Sequence, residues 1–420
     1  MTKELAIHGG PKIIPDGIIK SWPPITQADR DAVRSVFDTD QLHTRSAPKA
    51  AELERRWAEY CGVEHCIVTN GGTQALHMAL LGVGVEPGDE VILPAFSYWS
   101  SAAAIIHASA VPIFVDIDPR TFTIAPELIE PAITERTAAI MPVHIHGMPA
   151  DLDPIIDIAA RHGIPVVDDA AQAQGARYRG KVVGGLTDVT EFSLNRLKNL
   201  TGGEGGLVTT NSDAIYECAA ATGGMGGVTV ENGGKERTFF GHGYNYRPQE
   251  FPAALALSQL GRLDEYNARR REMADYLTER LEDIPGVAGP YTPDYADPVH
   301  FMYVIEFRPE ELHIDISVED LKTAAWRALE AEGVPILQWQ RQIMPAMDFF
   351  QREEGYASTP PWRFGASTVT YDPSDYPVSE HFVNSHAYLR GVFPPNGMDL
   401  MELYVAAIMK VFAEPSKLLE

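Results

Sequence analysis

The chain has 420 residues, of which 45% are hydrophobic and 22% are charged, a composition typical of a soluble globular protein with room for two domains. Its 58 acidic residues outnumber the 34 basic residues, so the formal net charge is −24. This excess argues against nucleic acid or an anionic membrane as a partner, because both are bound by clustered positive charge. A phosphorylated ligand is still possible, because a helix N-terminus can hold phosphate without net positive charge.

The cysteines and the N-terminus indicate a cytoplasmic location. Cys61, Cys66 and Cys218 form no C-x-x-C pair and cannot all be paired in disulfides. Residues 1–10 lack the apolar core of a signal peptide, and no apolar run reaches the length of a membrane span. We therefore expect no membrane association.

Short β-branched runs alternate with helical segments from about Cys61 to Ala221. This alternation predicts a mostly parallel sheet covered by helices, which binds ligands at the carboxyl ends of its strands. The predicted strands are His65–Thr69, Glu90–Leu93, Val111–Asp116, Ala138–Val143 and Ile164–Asp168. The predicted helices between them are Thr73–Leu81, Ser100–Ser109, Pro126–Ile133 and Leu152–His162.

The last third of the sequence has a different pattern. A long helical pattern from Pro248 to Leu281 predicts a connector into a smaller α+β domain, which ends in a helix near 400–412. The segment 356–377 is rich in proline and aromatic residues, which predicts an extended loop. We therefore divide the chain into a large domain, residues 1–260 with the N-terminal segment, and a smaller C-terminal domain, residues 261–420.

Two residues at predicted strand ends suggest covalent chemistry. Asp169 follows the buried run Val166–Asp168, and Lys198 lies 29 positions later, just before a glycine-rich stretch. A lysine amine can form a Schiff base with pyridoxal phosphate, and a carboxylate can keep the ring nitrogen of that cofactor protonated. Lys198 must be neutral to act as nucleophile or base, so we expect its pKa to be depressed.

Two neighbouring loops could complete a cofactor site. Gly71, Gly72 and Thr73 stand between a predicted strand and a predicted helix, where backbone N–H groups can hold phosphate. The alternative is a simple helix entry with a threonine N-cap. A Walker loop is disfavoured, because no Gly-Lys-Thr/Ser follows. Tyr98 could stack on a planar ring or could simply pack in the core.

The sequence His144-Ile145-His146 raises the alternative of a metal site. Strand residues at i and i+2 point the same way, and Asp168 and Asp169 could add ligands. Cysteine ligands and further close histidine or glutamate spacings are absent from this region of the sequence. We therefore predict no metal, and expect these histidines to line a polar pocket or to be hydrogen-bonded in the core.

Four ordered motifs resemble the sugar aminotransferases of the DegT/StrS group, which are pyridoxal-phosphate enzymes of fold type I. The motifs are Gly-Gly-Thr-Gln-Ala-Leu-His at 71–77, Asp-Asp-Ala-Ala-Gln-Ala-Gln-Gly at 168–175, Phe-Ser-Leu-Asn-Arg-Leu-Lys-Asn-Leu at 192–200 and Gly-Tyr-Asn-Tyr-Arg at 243–247. The similarity runs from Leu5 to about Ala274 and is weaker beyond. It implies an α/β fold of type I.

The resemblance also implies a role for each matching residue. Lys198 would hold the cofactor as an internal aldimine and move the proton between cofactor and substrate carbons. Asp169 would pair with the pyridinium nitrogen. The remaining implied cofactor contacts are Gly72, Thr73 and Ser193 to the phosphate, Tyr98 on the ring, Gln172 near the phenolic oxygen, and Asn245 to the phosphate from the second subunit of a homodimer.

Departures from the family pattern fall where substrate would bind. His146 stands where the family often has tyrosine, and Asn195-Arg196 stand where histidine or glutamine is frequent. We therefore take His146 and Asn195 as candidate substrate residues, and we add Arg247 from the motif at 243–247. Pro248–Phe251 and the C-terminal third, which includes Trp339 and Trp362, also differ from the family pattern.

These observations predict a transaminase of secondary metabolism, of the kind used in aminoglycoside or amino-sugar antibiotic biosynthesis. L-Glutamate or L-glutamine would donate an amino group to a keto group of a sugar or a cyclitol. The sequence leaves open whether the acceptor is a nucleotide-linked sugar or a free cyclitol, and we favour the smaller, uncharged ring. One alternative is a sugar dehydratase, which Lys198 disfavours because dehydratase relatives replace this lysine. Another is a non-catalytic regulatory relative.

Overall fold

The computed structural model describes residues 4–39, 42, 47–231, 235–239, 241, 243–352 and 369–419. Its helices are α1 Gln27–Arg34, α2 Pro48–Cys61, α3 Gly72–Gly82, α4 Trp99–His107, α5 Ile129–Ala132, α6 Leu152–His162, α7 Asp213–Gly223, α8 Glu250–Leu260, α9 Leu263–Leu281, α10 Val318–Ala331, α11 Asp348–Gln351, α12 Pro377–Ser385 and α13 Met398–Phe412.

The strands of the described residues are between two and five residues long. They are β1 His65–Thr69, β2 Glu90–Pro94, β3 Val111–Val115, β4 Thr137–Ile140, β5 Val167–Asp169, β6 Arg177–Tyr178, β7 Lys181–Val182, β8 Val189–Ser193, β9 Gly206–Thr210, β10 Gly227–Glu231, β11 Lys235–Phe239, β12 Val287–Ala288, β13 Ala296–Asp297, β14 Tyr303–Phe307, β15 Ile336–Leu337 and β16 His386–Leu389.

The main sheet confirms the predicted, mostly parallel α/β architecture. Its strands follow the order β3-β2-β4 and β5-β8-β9-β1, and two parallel bridges, Ile140 to Val166 and Val143 to Asp169, join the two halves. All neighbouring pairs are parallel except those of β9, which runs antiparallel to β1 and β8. The carboxyl ends of β1, β2, β5 and β8 therefore lie along one edge of the sheet, where loops can build a site.

Burial explains why these strands are nearly continuous apolar runs. Every residue of β2 and β8 is buried, and helices such as α3 and α4 pack their apolar faces on the sheet. Strands covered on both faces lose the alternation of a half-exposed strand. Glu90, Thr190, Glu191 and Ser193 are the exceptions within β2 and β8, since they are polar and yet buried.

A second, antiparallel sheet of order β12-β14-β16-β15 lies in the last third of the chain. Its core includes residues of α9, α10 and α13, and the N-terminal residues Leu5 and Ile14 pack in the same cluster. Glu332 ties the N-terminal segment down, because its carboxylate accepts from Ala6 N at 2.8 Å and pairs with Lys410 at 2.8 Å. The division of the chain at residues 260 and 261 stays a prediction.

Several predicted elements differ from those observed. The pattern from Pro248 to Leu281 forms two helices, because the chain turns between α8 and α9 at Gly261. The predicted helix 126–133 is a 3-10 turn followed by the single turn α5. The predicted loop 356–377 lies largely outside the described residues, as does Trp362. None of the helices in the described part of the chain is both long and apolar enough to cross a membrane.

Candidate active site

The loop between β1 and α3 leaves the first turn of α3 without a side-chain cap. The N-cap residue is Gly71, not the threonine of the helix-entry alternative, and it has no side chain to accept from the helix N–H groups. A Cβ built on Gly72 would lie 2.7 Å from Oε1 of Glu191 and 2.9 Å from Cβ of Ser193, so a larger residue would press on both. Open N–H groups and the helix dipole make this end suitable for an anion.

Asp169 ends β5 with a carboxylate held by two hydrogen bonds. The Ser101 hydroxyl donates to Oδ2 at 2.7 Å, and the Ala171 N–H donates to Oδ1 at 3.1 Å. Ser101 is itself within 2.9 Å of the Ser97 hydroxyl. The side chain of Asp169 is buried, so these contacts fix the orientation of a carboxyl group that is largely shielded from solvent.

Lys198 lies in the loop after β8, and its backbone is fixed on both sides. Its N–H donates to the Asn195 carbonyl at 2.9 Å, and the Trp22 indole N–H donates to the Lys198 carbonyl at 3.0 Å. Its amine lies 4.6 Å from the centroid of the Phe301 ring. Burial lowers the pKa of the amine to about 8, although Asp169 and Glu191 act in the opposite direction. The depressed pKa expected from the sequence is therefore present.

A cavity of about 570 Å³ joins these features. Most of the predicted site residues line it, namely Gly72, Thr73, Tyr98, Asp169, Gln172, Ser193, Asn195 and Lys198. Thr73 directs its hydroxyl to Ser100 at 2.8 Å. Ser193 accepts from the Asn195 N–H at 3.2 Å. The structure thus brings together residues from the ends of four different strands, β1, β2, β5 and β8.

Aromatic side chains form the opposite wall of the cavity. The Tyr98 ring is 51% exposed and is stacked on Trp339, with centroids 5.9 Å apart and an interplanar angle of 17°. Phe301 and Met302 continue this apolar lining. We call the group of Tyr98, Phe301, Met302 and Trp339 the aromatic wall.

Three predicted site residues lie outside the cavity lining that the described residues form. His146 is buried behind it, where its N–H donates to Gln172 Oε1 at 2.8 Å and its Nε2 is 3.1 Å from the Tyr388 hydroxyl. Burial lowers the pKa of His146 to about 3. Arg247 donates from Nε to Asn245 Oδ1 at 2.8 Å, and both lie in the segment after β11.

The two histidines considered as metal ligands have separate partners. They lie at a 3-10 turn, Ile145–Gly147, rather than on a strand, and His146 has a φ of 58°. His144 accepts from the Ala150 N–H through Nδ1, and its Nε2 lies 3.4 Å from Asp168. His146 instead faces Tyr388. The alternation expected of a strand therefore does not apply to this pair.

Several cavity residues were not singled out from the sequence. Glu191 precedes Ser193 by two positions on one strand, so the period of the strand could have indicated it. Ser101 lies in the first turn of α4, and it contacts Ser97 of the loop that precedes this helix, a contact that no helical spacing indicates. Phe301 and Met302 gave no such signal, because they reach the site only through packing of the last third on the main sheet.

The sequence has recognisable relatives. Residues 23–358 match the profile of the DegT/DnrJ/EryC1/StrS aminotransferase family. The chain belongs to this family. It is accordingly a pyridoxal-phosphate-dependent transaminase of fold type I.

Two curated members of the family show the range of its relatives. GDP-perosamine synthase of Caulobacter vibrioides is 39% identical over 67% of this chain and 75% of its own length. L-Glutamine:scyllo-inosose aminotransferase of Streptomyces griseus is 38% identical over 82% of each chain.

Solved structures of similar proteins agree with the fold. 3-Amino-5-hydroxybenzoic acid synthase has a TM-score of 0.81 and is 29% identical, with 94% of this chain and 98% of that chain covered. An aminotransferase from Psychrobacter cryohalolentis also has a TM-score of 0.81, at 26% identity, with 94% and 99% covered. The family architecture thus extends over nearly the whole chain, including the last third.

Proposed function

We propose that this transaminase moves an amino group from L-glutamine or L-glutamate to the keto group of an uncharged cyclitol. The observation that carries the proposal is one cavity lined by Lys198, Asp169 and the N-terminus of α3. A lysine, an acid and an anion site are the groups that pyridoxal phosphate requires. Their common cavity supports Lys198 as the residue of covalent attachment.

The charge and burial of these residues fit the cofactor. Bound there, the cofactor would supply an electron sink for the carbon that loses its proton. Asp169, oriented by Ser101, would stabilise positive charge on the ring nitrogen. Gly72, Thr73 and Ser193 would contact the phosphate, Tyr98 would stack on the ring, and Gln172 would lie near the phenolic oxygen.

Lys198 would act as the base that carries the proton between carbons. A base must be neutral to accept a proton, and a lysine with a pKa of about 8 has a substantial neutral fraction near pH 8. An exposed lysine, by contrast, is almost wholly charged at that pH. The burial of Lys198 therefore supports this role as well as that of nucleophile.

The charges of the cavity favour an uncharged acceptor. Among the described residues that line it, Lys198 is the one cationic side chain, whereas Asp169 and Glu204 are acidic. A nucleotide diphosphate is usually held by arginine or lysine. A polyol ring can place its C–H faces on the aromatic wall and its hydroxyls on polar groups such as Asn195.

A homodimer with shared sites completes the proposal. Among the described residues that line the cavity of this chain, neither Asn245 nor Arg247 is found. Both could therefore contact the cavity of a second copy. Asn245 would reach the phosphate of the partner site. Arg247 would add a cation for the carboxylate of the amino-acid donor. Sedimentation as a monomer with full activity would contradict this arrangement.

The acceptor class can be tested in two half-reactions. The purified protein is first mixed with L-glutamine or L-glutamate, and loss of the absorbance of the aldehyde form of the cofactor reports amine transfer from the donor. An inosose or a nucleotide-linked keto-sugar is then added, and return of that absorbance identifies the acceptor. We expect the inosose to restore it faster. Faster recovery with the nucleotide-linked sugar would overturn the cyclitol assignment.

A nucleotide-linked keto-sugar is the second candidate acceptor. It is favoured by the 39% identity to GDP-perosamine synthase. A dehydratase would leave the absorbance unchanged after the amino acid is added, so the first half-reaction separates that activity from transamination.

A further inference from the structure

Glu191 has a buried carboxyl group that lines the cofactor cavity. None of the roles proposed above uses this group. It lies on β8 directly beside Asp169 of the neighbouring strand β5, and two residues before Ser193. Residues paired across parallel strands, and residues two apart on one strand, point to the same face of the sheet. The side chain thus lies between the acid of the site and the serine at the anion site.

The contacts of Glu191 place its carboxyl against the N-terminus of α3. Its Oε1 would lie 2.7 Å from a Cβ built on Gly72, the first residue of that helix. The side chain is 0% exposed, and by strict geometry neither carboxyl oxygen has a hydrogen-bond partner among the described residues, although the Asp169 carboxylate lies near enough to act on it as a hydrogen-bond acceptor. A buried carboxyl without a partner is costly, so it calls for a ligand or a function.

Burial and the neighbouring Asp169 favour the protonated form of Glu191. Burial raises its pKa well above the usual range, and the charge of Asp169 raises it further, while Lys198 acts in the opposite direction. Its neighbour on α3 is Gly72, and its partner on β9 is Val208, neither of which is ionisable. A protonated carboxyl is a hydrogen-bond donor, whereas an ionised one would repel a bound anion.

We propose that Glu191 is a further phosphate-contacting residue, a protonated carboxyl that donates a hydrogen bond to the phosphate group held at the N-terminus of α3. This inference rests on the proposed cofactor site. Hydrogen bonds from a hydroxyl to an anionic oxygen are among the strong ones in proteins. The competing acceptor for the same proton is the Asp169 carboxylate, at the end of the site assigned to the ring nitrogen.

Equilibrium binding to three proteins tests the proposal without any measurement of turnover. The full-length apo-protein is compared with E191Q, which keeps a donor of similar shape, and E191L, which has none. Each is titrated with pyridoxamine 5′-phosphate and with pyridoxamine, which lacks the phosphate. Neither ligand needs covalent attachment to Lys198, and protein fluorescence reports the dissociation constant.

We expect E191L to bind pyridoxamine 5′-phosphate roughly ten- to a hundredfold more weakly than the unsubstituted protein, as for loss of a hydrogen bond to a charged group. E191Q should bind it about as tightly as the unsubstituted protein. All three proteins should bind pyridoxamine equally, which also shows that the variants are folded.

Three results would overturn the inference. If E191L bound pyridoxamine 5′-phosphate and pyridoxamine more weakly by the same factor, the Glu191 proton would be assigned to a hydrogen bond with Asp169, near the ring nitrogen, instead of to the phosphate. Unchanged binding of pyridoxamine 5′-phosphate by E191L would exclude the contact. Much tighter binding by E191Q would show that Glu191 is ionised. Failure of the unsubstituted protein to bind either compound would instead refute the cofactor site itself.

Discussion

The two sides of the cavity are built in different ways. On one side, Gly72, Asp169 and Ser193 lie at strand ends of the main sheet, and the side chains of Asp169 and Ser193 are buried. On the other, Tyr98 is half exposed and stacks on Trp339, which follows the short strand β15. We call the first group the strand-end side and keep the name aromatic wall for the second.

The difference separates two requirements of the proposed reaction. Charges that stabilise a cofactor must be held in a fixed geometry, which strand ends and hydrogen bonds from neighbours provide. Contacts to an acceptor ring depend on shape and apolar area, which loop residues can change without disturbing the sheet. Substitutions on the strand-end side should therefore reduce the chemistry itself. Substitutions of the wall residues other than Tyr98, which is assigned to the cofactor ring, should alter the preference for the acceptor.

The largest effect is expected for Lys198→Ala. Loss of the proposed nucleophile and base should reduce transamination by about 10⁴-fold or more, measured as release of the keto acid from the amino donor. Lys181→Ala, at an exposed lysine of β7, is the matched control and should retain full activity. A K198A protein with more than a tenth of normal activity would refute the assignment.

Asp169→Asn should have the next largest effect. The change keeps the shape but removes the negative charge, so we expect the turnover number to fall by about 10²–10³-fold. Ser101→Ala keeps the charge and removes one hydrogen bond to it, so its loss should be smaller. If S101A were the more damaging substitution, orientation rather than charge would be the main contribution of this pair.

The depressed pKa of Lys198 predicts the pH dependence of cofactor attachment. The lysine must be neutral to react, so the rate of attachment of pyridoxal phosphate to the apo-protein should rise about tenfold per pH unit below about pH 8 and level off above it. Stopped-flow absorbance at a series of pH values measures this rate. A rise that continues to about pH 10 would indicate a lysine with the ordinary pKa.

The smallest effect is expected in the aromatic wall. Trp339→Leu removes the ring that stacks on Tyr98, so the KM for the keto acceptor should rise about 3- to 10-fold. The half-reaction with the amino donor should be unchanged. Tyr291→Leu, an aromatic residue outside this cavity, is the control. An equal loss in the donor half-reaction would show that the wall also positions the cofactor.

The strand-end side was largely predictable because its signals are local. Asp169 follows a buried apolar run, and Gly71 and Gly72 stand between a strand and a helix, so the sequence alone indicated that these residues lie at the ends of strands. The break between α8 and α9 was not predicted. The apolar period continues through both helices, and the turn at Gly261 depends on how each packs.

The sequence by itself determined the fold class, the family and the residue types available for pyridoxal-phosphate chemistry, because strand and helix periods and short motifs are local properties of the chain. Only the tertiary structure decided which distant residues share the cavity. Trp22 contacts the Lys198 carbonyl across 176 positions, and Trp339 meets Tyr98 from the last third of the chain. The burial that lowers the pKa of Lys198 likewise depends on residues brought together by folding, since desolvation is a property of the packed interior.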